Sequence, residues 1–416
     1  PDATAFTIGL ALGVYGLTQA ICQIPFGMAS DRVGRKPIII GGLILFAAGS
    51  VLAAVSHSIY GIILGRALQG AGAVGSVILA LTADLTRDEV RTRAMAIIGM
   101  TIGLSFGVAV VVGPILNSWI GVPGIFWLTA GFALVAMGIV QFLVPHPTRT
   151  RLHRDTEAVP ALFRKVLSNG QLLRLDFGIL AQHAILTASF LAVPVILRDH
   201  AGVAQPHQWT IYLPVMAFSV VLMVPLIIVA EKYGKMKPVF LGGVTAIGLS
   251  QLLLLVWHAR LWIIIPALLI FFTAFNLLEA SLPSLISKLA PPESKGTAMG
   301  VYSSSQFLGI FVGGAVGGLV QQHFHTTGVF AMAAILAGLW LVAARGMNPS
   351  SGIASRILHV GEMTVEQARA MSDRLASIPG VRDAVVIGDE GVAYLKVDRE
   401  RLDEQALGAL AAPSEA

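Results

Sequence analysis

Eleven predominantly apolar stretches follow one another along the chain, at about 6–29, 37–56, 59–84, 93–117, 122–144, 172–197, 208–230, 238–257, 261–286, 297–320 and 326–346. A helix needs about 20 such residues to cross the hydrocarbon of a bilayer, so the pattern predicts eleven membrane-spanning helices. The polar connections between them alternate in charge. Lys and Arg number 17 in the connections at 30–37, 84–93, 145–174, 231–238 and 287–296, whereas the opposite set holds only Arg198 and Arg260. Basic residues are retained on the cytoplasmic side, which places the N-terminus outside and the C-terminus in the cytoplasm.

The long connection "PHPTRTRLHRDTEAVPALFRKVLSNGQ" divides five spans from six. Two echoes cross it. "SDRVGRKPIII" at 30–40 recurs weakly as "AEKYGKMKPVF" at 230–240, and "RAMAIIG" at 93 resembles "TAMGVYS" at 297, an offset of 204 residues. Repeats in the same orientation are related by an axis along the membrane normal. Six spans in the second half imply six in the first, so twelve helices are expected in the intact protein, eleven in this chain, with one before residue 1 missing. The chain opens on Pro1 with no basic leader or cleavage site ahead of its first apolar run, and reads as truncated or processed.

The expected divisions are a first transmembrane half at 1–144 (helices 2–6), a linker at 145–171, a second half at 172–346 (helices 7–12) and a polar domain at 353–412. Alternating apolar residues in "SRILHV", "VRDAVVIG" and "GVAYLKVD" read as strands, and "TVEQARAMSDRLASIPG" carries a helical period. The order β-α-β-β-α is most of a ferredoxin-like unit, its last strand weak or absent. The fold class is therefore an all-α membrane bundle with a small α+β domain appended.

Composition sharpens this. Of the 416 residues, 55% are hydrophobic and 12% charged, about half the charge of a soluble domain. The lone Cys22 excludes intrachain disulfides and clustered thiolate metal sites. The net charge of +5 is accounted for by the basic connections and points to no nucleic acid. No phosphate-cradling loop supports ATP-driven transport, and no Ser/His/Asp arrangement supports an enzyme. No cofactor or metal is expected. The expected partners are the lipid bilayer, a small-molecule substrate and protons, with self-association or ligand binding left to the C-terminal domain.

Charged groups inside apolar spans cost at least a few kcal/mol and are functional candidates by default. Arg66 and Glu279 are two such residues. Burial disfavours the charged form of a carboxyl, so Glu279 in "FFTAFNLLEASLPSLI" is a candidate proton carrier, the alternative being a neutral or paired structural residue. Arg66 is either functional or a packing arginine bonded to backbone carbonyls. His183 titrates in the physiological range when unperturbed and joins the proton-coupling set; its alternative is a satisfied packing residue. Tyr15, Gln19 and Gln23 recur every four residues on one helical face, and Tyr302 with Gln306 repeats the pattern. With Asn276, one turn before Glu279, they are expected to line a central cavity or to bond helices together. Asp176 begins its helix and is expected at the interface. Gly99, Gly103 and Gly107 form a small-residue stripe suited to helix packing, continued by Gly113 and Pro114.

"GMASDRVGRKP", at 27–37, resembles the signature loop of the major facilitator superfamily between its second and third helices. "GRALQGAGAVG" carries that family's Arg-x-x-Gln-Gly motif as Arg66, Gln69 and Gly70, which the resemblance links to proton handling. "GMTIGLSFGVAVVVGP" is similar to the fifth-helix motif of drug/proton antiporters, with Ile115, Leu116 and Asn117 where paired glycines usually follow. With its tail, the whole chain resembles the YajR-type group of facilitator transporters. The resemblance implies a multi-pass protein of the bacterial inner membrane that exports amphipathic or lipophilic molecules in exchange for protons. Kept beside this are a uniporter or importer of small metabolites on the same fold, and a membrane sensor signalling through the tail.

The signature loop has its own physics. Gly27 and Gly34 permit close helix approach and an unusual turn. Asp31 is expected to face the partially positive start of the helix near Gly296 and Thr297, and Arg35 to pair with Asp84. With Arg32 and Lys36 they would form a cytoplasmic latch, as against a solvated turn that merely obeys the charge rule. The tail also resembles heavy-metal-associated domains, but its first loop, "HVGEMTVEQA", has no cysteine. With only His359 and Met363 there, a regulatory or oligomerising domain is the expectation.

Overall fold

The computed structural model describes residues 3–72, 74–86, 88–145, 162–291, 294–347, 353–361, 363–388, 391–398 and 401–410. Most of the predicted linker lies outside them. The bundle runs through α1 (Ala5–Val33), α2 (Arg35–Val55), α3 (Ile59–Ala71), α4 (Gly75–Leu85), α5 (Asp88–Gly138), the short α6 (Phe163–Leu167), α7 (Gly170–Asp199), α8 (Trp209–Lys232), α9 (Met236–Trp257), α10 (Leu261–Leu289) and α11 (Lys295–Arg345).

Among the described residues, nine helical stretches are long and apolar enough to span a bilayer. Two of them, α5 and α11, run to 51 residues, about 77 Å if straight, which is more than twice the hydrocarbon thickness. Each contains one non-helical residue, Gly121 (φ 65°) and His325 (φ 58°). At His325 the chain reverses. Before it, Gly309 and Gly317 meet Leu180 and Ala188 of α7; after it, Trp340 and Gly346 lie against Gly178 and Arg174, in the opposite direction along the same helix. Beyond Gly121 the chain likewise returns, and Val140 and Val144 pack on the cluster of Ile39, Val77 and Leu81. Two hairpins turn nine helical stretches into the eleven crossings expected. The third crossing, expected as one helix over 59–84, is split at Gly72 into α3 and α4. A Cβ there would sit 2.4 Å from the Gly42 carbonyl oxygen of α2.

Packing is uneven. The second half holds a continuous core around Ile179, Ile185, Phe240, Ile247, Leu278 and Trp340. The first half meets it chiefly where α1 crosses the first leg of α11. A Cβ on Gly9 would lie 2.1 Å from the Gly314 carbonyl oxygen, and one on Gly16 2.4 Å from that of Phe307. Farther along, Ser304 Oγ donates to the Ala20 carbonyl at 3.2 Å. The Lys- and Arg-rich turns mark one end of the bundle, the basic end, and these contacts run from mid-bundle to the opposite end.

The expected glycine stripe on α5 does not form a packing seam among the described residues. Only Gly107 has a neighbour, Met216 Cε at 3.7 Å, and nothing lies within 4 Å of a Cβ on Gly99, Gly103 or Gly113. Pro114 sits within the helix.

After the bundle, β1 (Ile353–His359), α12 (Val365–Ala376), β2 (Val381–Ile387), β3 (Val392–Asp398) and α13 (Glu404–Gly408) build the small domain. Its sheet is antiparallel in the order β1-β3-β2, over a core of Leu375, Ile378, Leu395 and Val397. Thr364 and Gln367 cap α12 reciprocally. Lys396 Nζ donates to the Leu289 carbonyl at 3.0 Å, placing a cation at the partially negative end of α10.

Candidate functional site

Glu279 lies on α10, ten residues from that helix's basic end, and gathers two other helices. Gln182 of α7 donates from Nε2 to Glu279 Oε2 at 2.9 Å, and Gln306 of α11 donates from Nε2 to Oε1 at 3.0 Å. The same Gln306 amide nitrogen stands 3.0 Å from His183 Nε2. An amide nitrogen donates, so that ring nitrogen accepts, and His183 carries its proton on Nδ1, facing the Ile179 carbonyl at 3.3 Å. His183 Nε2 is 3.9 Å from Glu279 Oε2. Each carboxyl oxygen of Glu279 thus accepts one amide hydrogen bond. The Glu279 side chain remains 36% exposed. One turn away, Phe275 stacks with Phe106 of α5 at 6.4 Å, so this face of α10 looks toward the first half. Three of the predicted residues, Glu279, His183 and Gln306, therefore form one cluster. Gln182 was not among them: an amide in an apolar span signals a bond but not its partner.

Asn276 does not join this cluster. Its Nδ2 donates to Ser219 Oγ of α8 at 3.0 Å, so it ties α10 to α8. Tyr302, one turn before Gln306, is 3% exposed, and its hydroxyl has no hydrogen-bond partner among the described residues.

In the first half, Arg66 Nε donates to the Ala11 carbonyl at 3.3 Å and Nη1 to Gln69 Oε1 at 2.9 Å. Gln69 passes the chain on to Ser50 Oγ at 2.7 Å, and the guanidinium lies 4.7 Å over the Tyr15 ring. These contacts tie α3 to α1 and α2, including the backbone-carbonyl bond of the packing alternative. Gln19 and Gln23 are buried beyond Tyr15 on the same face, and Gln23 Oε1 has no partner among the described residues.

At the basic end, Gly34 closes α1 and opens α2 with φ 105° and ψ 151°, a region essentially reserved for glycine. Arg35 is 1% exposed. Its Nε donates to Asp84 Oδ2 at 2.9 Å and its Nη1 to Ser30 Oγ at 2.7 Å, and it also pairs with Asp31. The expected Arg35–Asp84 pair is present, while the Asp31 carboxylate turns to Arg35 in its own half. Lys36 is buried and Arg32 exposed. Gly27 does not mark a close approach, since a Cβ there would stand 3.5 Å from Ser76 Oγ.

Asp176 corrects the expectation that it is interfacial: it is 5% exposed, and neither carboxylate oxygen has a partner among the described residues. A cavity of about 700 Å³ opens at the other end of the bundle between Thr4, His200, His258, Gln321 and His325. It contains none of the predicted site residues.

The comparisons with known proteins agree with this architecture. The sequence profile of the Major Facilitator Superfamily matches residues 2–314 and 177–352. The chain belongs to the major facilitator superfamily. It is 44% identical over 398 residues to the inner membrane transport protein YajR of Escherichia coli K12, covering 95% of this chain and 87% of that one. It is also similar to the multidrug resistance protein MdtH of Aeromonas salmonicida, 27% identical with 77% of this chain and 80% of that one covered. In fold it resembles the crystal structure of the human organic anion transporter MFSD10, with a TM-score of 0.61 and 19% identity over 81% of this chain and 83% of that one. Membership makes the chain a multi-pass membrane transporter rather than an enzyme.

Proposed function

We propose that this transporter exports amphipathic or lipophilic small molecules in exchange for protons, with Glu279 as the proton carrier. The observation that carries the reading is the convergence of α7, α10 and α11 on one carboxylate through Gln182 and Gln306. Protonating Glu279 removes its charge and turns one oxygen into an O–H that donates as well as accepts, so both charge-assisted amide bonds weaken. A single proton thereby changes how three helices of the second half are held, which is the coupling alternating access requires.

The Arg66, Tyr15, Gln19 and Gln23 face and the Glu279 cluster supply polar groups from the two halves to a substrate between them. The basic end is cytoplasmic on the charge rule, and the YajR relative is described as an inner membrane protein. The glycine contacts between α1 and α11 then close the bundle toward the outside, which supports an inward-facing conformation. The MdtH relative's description as a multidrug resistance protein supports an amphipathic, drug-like cargo.

Proteoliposomes containing the intact transporter test this. A pH gradient is expected to drive uphill transport of a lipophilic cation by the wild type. Glu279→Gln is expected to abolish that drive while leaving substrate exchange at equal pH. Gradient-driven transport that survives in Glu279→Gln would remove Glu279 from the coupling.

A further inference from the structure

The one polar side chain of α7 that the Glu279 cluster leaves unexplained at this depth is Asp176. It follows the helix start at Gly170 by six residues, about 9 Å along the axis, between the cluster and the basic end. Both of its oxygens are buried and unpartnered among the described residues. An ionised carboxylate in that position lacks any compensation for several kcal/mol of lost hydration and takes up a proton instead.

The packing of α7 against the first leg of α11 locates what lies beside it. Gly309 meets Leu180 and Gly313 meets Ala184, with Gly317 on Ala188, so the two helices run parallel in fixed register, one turn at a time. One turn earlier, that register pairs Ser305 with Asp176, and Tyr302 follows within a turn toward the basic end. The Tyr302 hydroxyl is likewise buried and has no hydrogen-bond partner among the described residues. A lone donor and a lone acceptor thus sit near one another without a bond in this conformation.

We propose that Asp176 is a second proton-binding site, neutral in this conformation, that releases its proton toward the basic end while Tyr302 stabilises the ionised form. The step is an acid dissociation. The Asp176 O–H bond breaks, the proton passes to water at the basic end, and the Tyr302 O–H donates to the carboxylate that remains. The titratable or charged groups on the neighbouring elements toward the basic end are Arg174 on α7, Lys288 on α10, Lys295 and Arg345 on α11, Arg164 and Lys165 on α6, and Asp31 and Arg32 on α1, with His183 and Glu279 on the cluster side. Lys288 is held by Glu231 and Arg345 is exposed. Arg174 is turned against Gly346, His183 and Glu279 are held in the cluster by Gln306, and Asp31 is held by Arg35. The proposal rests on the proton-coupled reading of Glu279, giving that proton its next station.

The test is infrared spectroscopy of the intact transporter titrated with pH, read at the carbonyl stretch of protonated carboxylic acids. At neutral pH the wild type is expected to show such a band, lost in Asp176→Asn and kept in Glu279→Gln. Tyr302→Phe is expected to raise the pH at which the band disappears by about one to two units, the loss of one hydrogen bond to a charged group. Isotope-labelled aspartate in the wild type, whose band must shift, reads the same site without a substitution. A band unchanged in Asp176→Asn, or unshifted by the label, would show Asp176 ionised and overturn the proposal. So would pH-driven flux in Asp176→Asn equal to wild type. Failure of the Glu279 reading shows itself separately, as wild-type flux indifferent to a pH gradient, while the infrared band still decides whether Asp176 holds a proton.

Discussion

The amide nitrogen of Gln306 stands 3.0 Å from Glu279 Oε1, and through that bond the first leg of α11 is fastened to α10. Gln306→Leu leaves both Glu279 Oε1 and His183 Nε2 without this donor. His183 Nε2 becomes an orphaned buried acceptor, at about 1–3 kcal/mol, while the partly exposed Glu279 can turn to water, so a lower thermal unfolding temperature is expected. Combining it with Glu279→Gln should cost less than the two separate losses, because they share one bond. Fully additive losses would mean that the two side chains act independently.

Arg35 and Asp84 form a pair whose side chains are 1% and 0% exposed. Removing one partner of a buried pair leaves an uncompensated charge, at a cost of about 3–5 kcal/mol. Arg35→Ala and Asp84→Ala are therefore each expected to destabilise the protein by that order, in thermal or denaturant unfolding. Arg35→Lys should rescue little, because one ammonium cannot reproduce a guanidinium spread over Asp84, Ser30 and Asp31. Full rescue by lysine would reduce the contact to simple charge attraction.

The two glycines of the same turn are expected to behave differently. Gly34→Ala forces a side chain into the φ 105° conformation, at about 1–3 kcal/mol. Gly27→Ala places a methyl 3.5 Å from Ser76 Oγ, an ordinary contact, and should be near neutral. Equal losses of unfolding temperature for both would contradict this distinction.

Much of this architecture is readable from the chain because lipid imposes a simple rule: apolar runs of span length must be helices, and their basic connections share a side. That rule places the eleven crossings and makes Glu279 visible as a charge in the wrong solvent. It does not assign partners. Asn276 and Glu279 are three residues apart, yet one bonds α8 and the other α7 and α11. Asp176, two residues after Arg174 in a basic connection, looks interfacial, but α7 begins earlier, at Gly170, and the core of the second half closes over the carboxylate. The spacing of Gly99, Gly103 and Gly107 suits close packing, but spacing alone does not supply the facing helix. The small domain was readable by its alternation, whereas the docking of Lys396 on Leu289 depends on a contact 107 residues apart.

The closure between α1 and α11 makes a conformational prediction. Gly314→Val adds bulk where a Cβ would already be 2.4 Å from the Gly9 carbonyl oxygen. Spin labels on the ends of α1 and α11 away from the basic turns should show a longer distance distribution in Gly314→Val than in the wild type. An unchanged distribution would place the seam outside the gating motion.

The most direct test of the account is proton release by the intact transporter in weakly buffered detergent solution, on addition of lipophilic cations and neutral drugs. Proton release on binding in the wild type, absent in Glu279→Gln, is the predicted result. Binding with no release in the wild type, or release undiminished in Glu279→Gln, would contradict the assignment of Glu279 as the proton carrier.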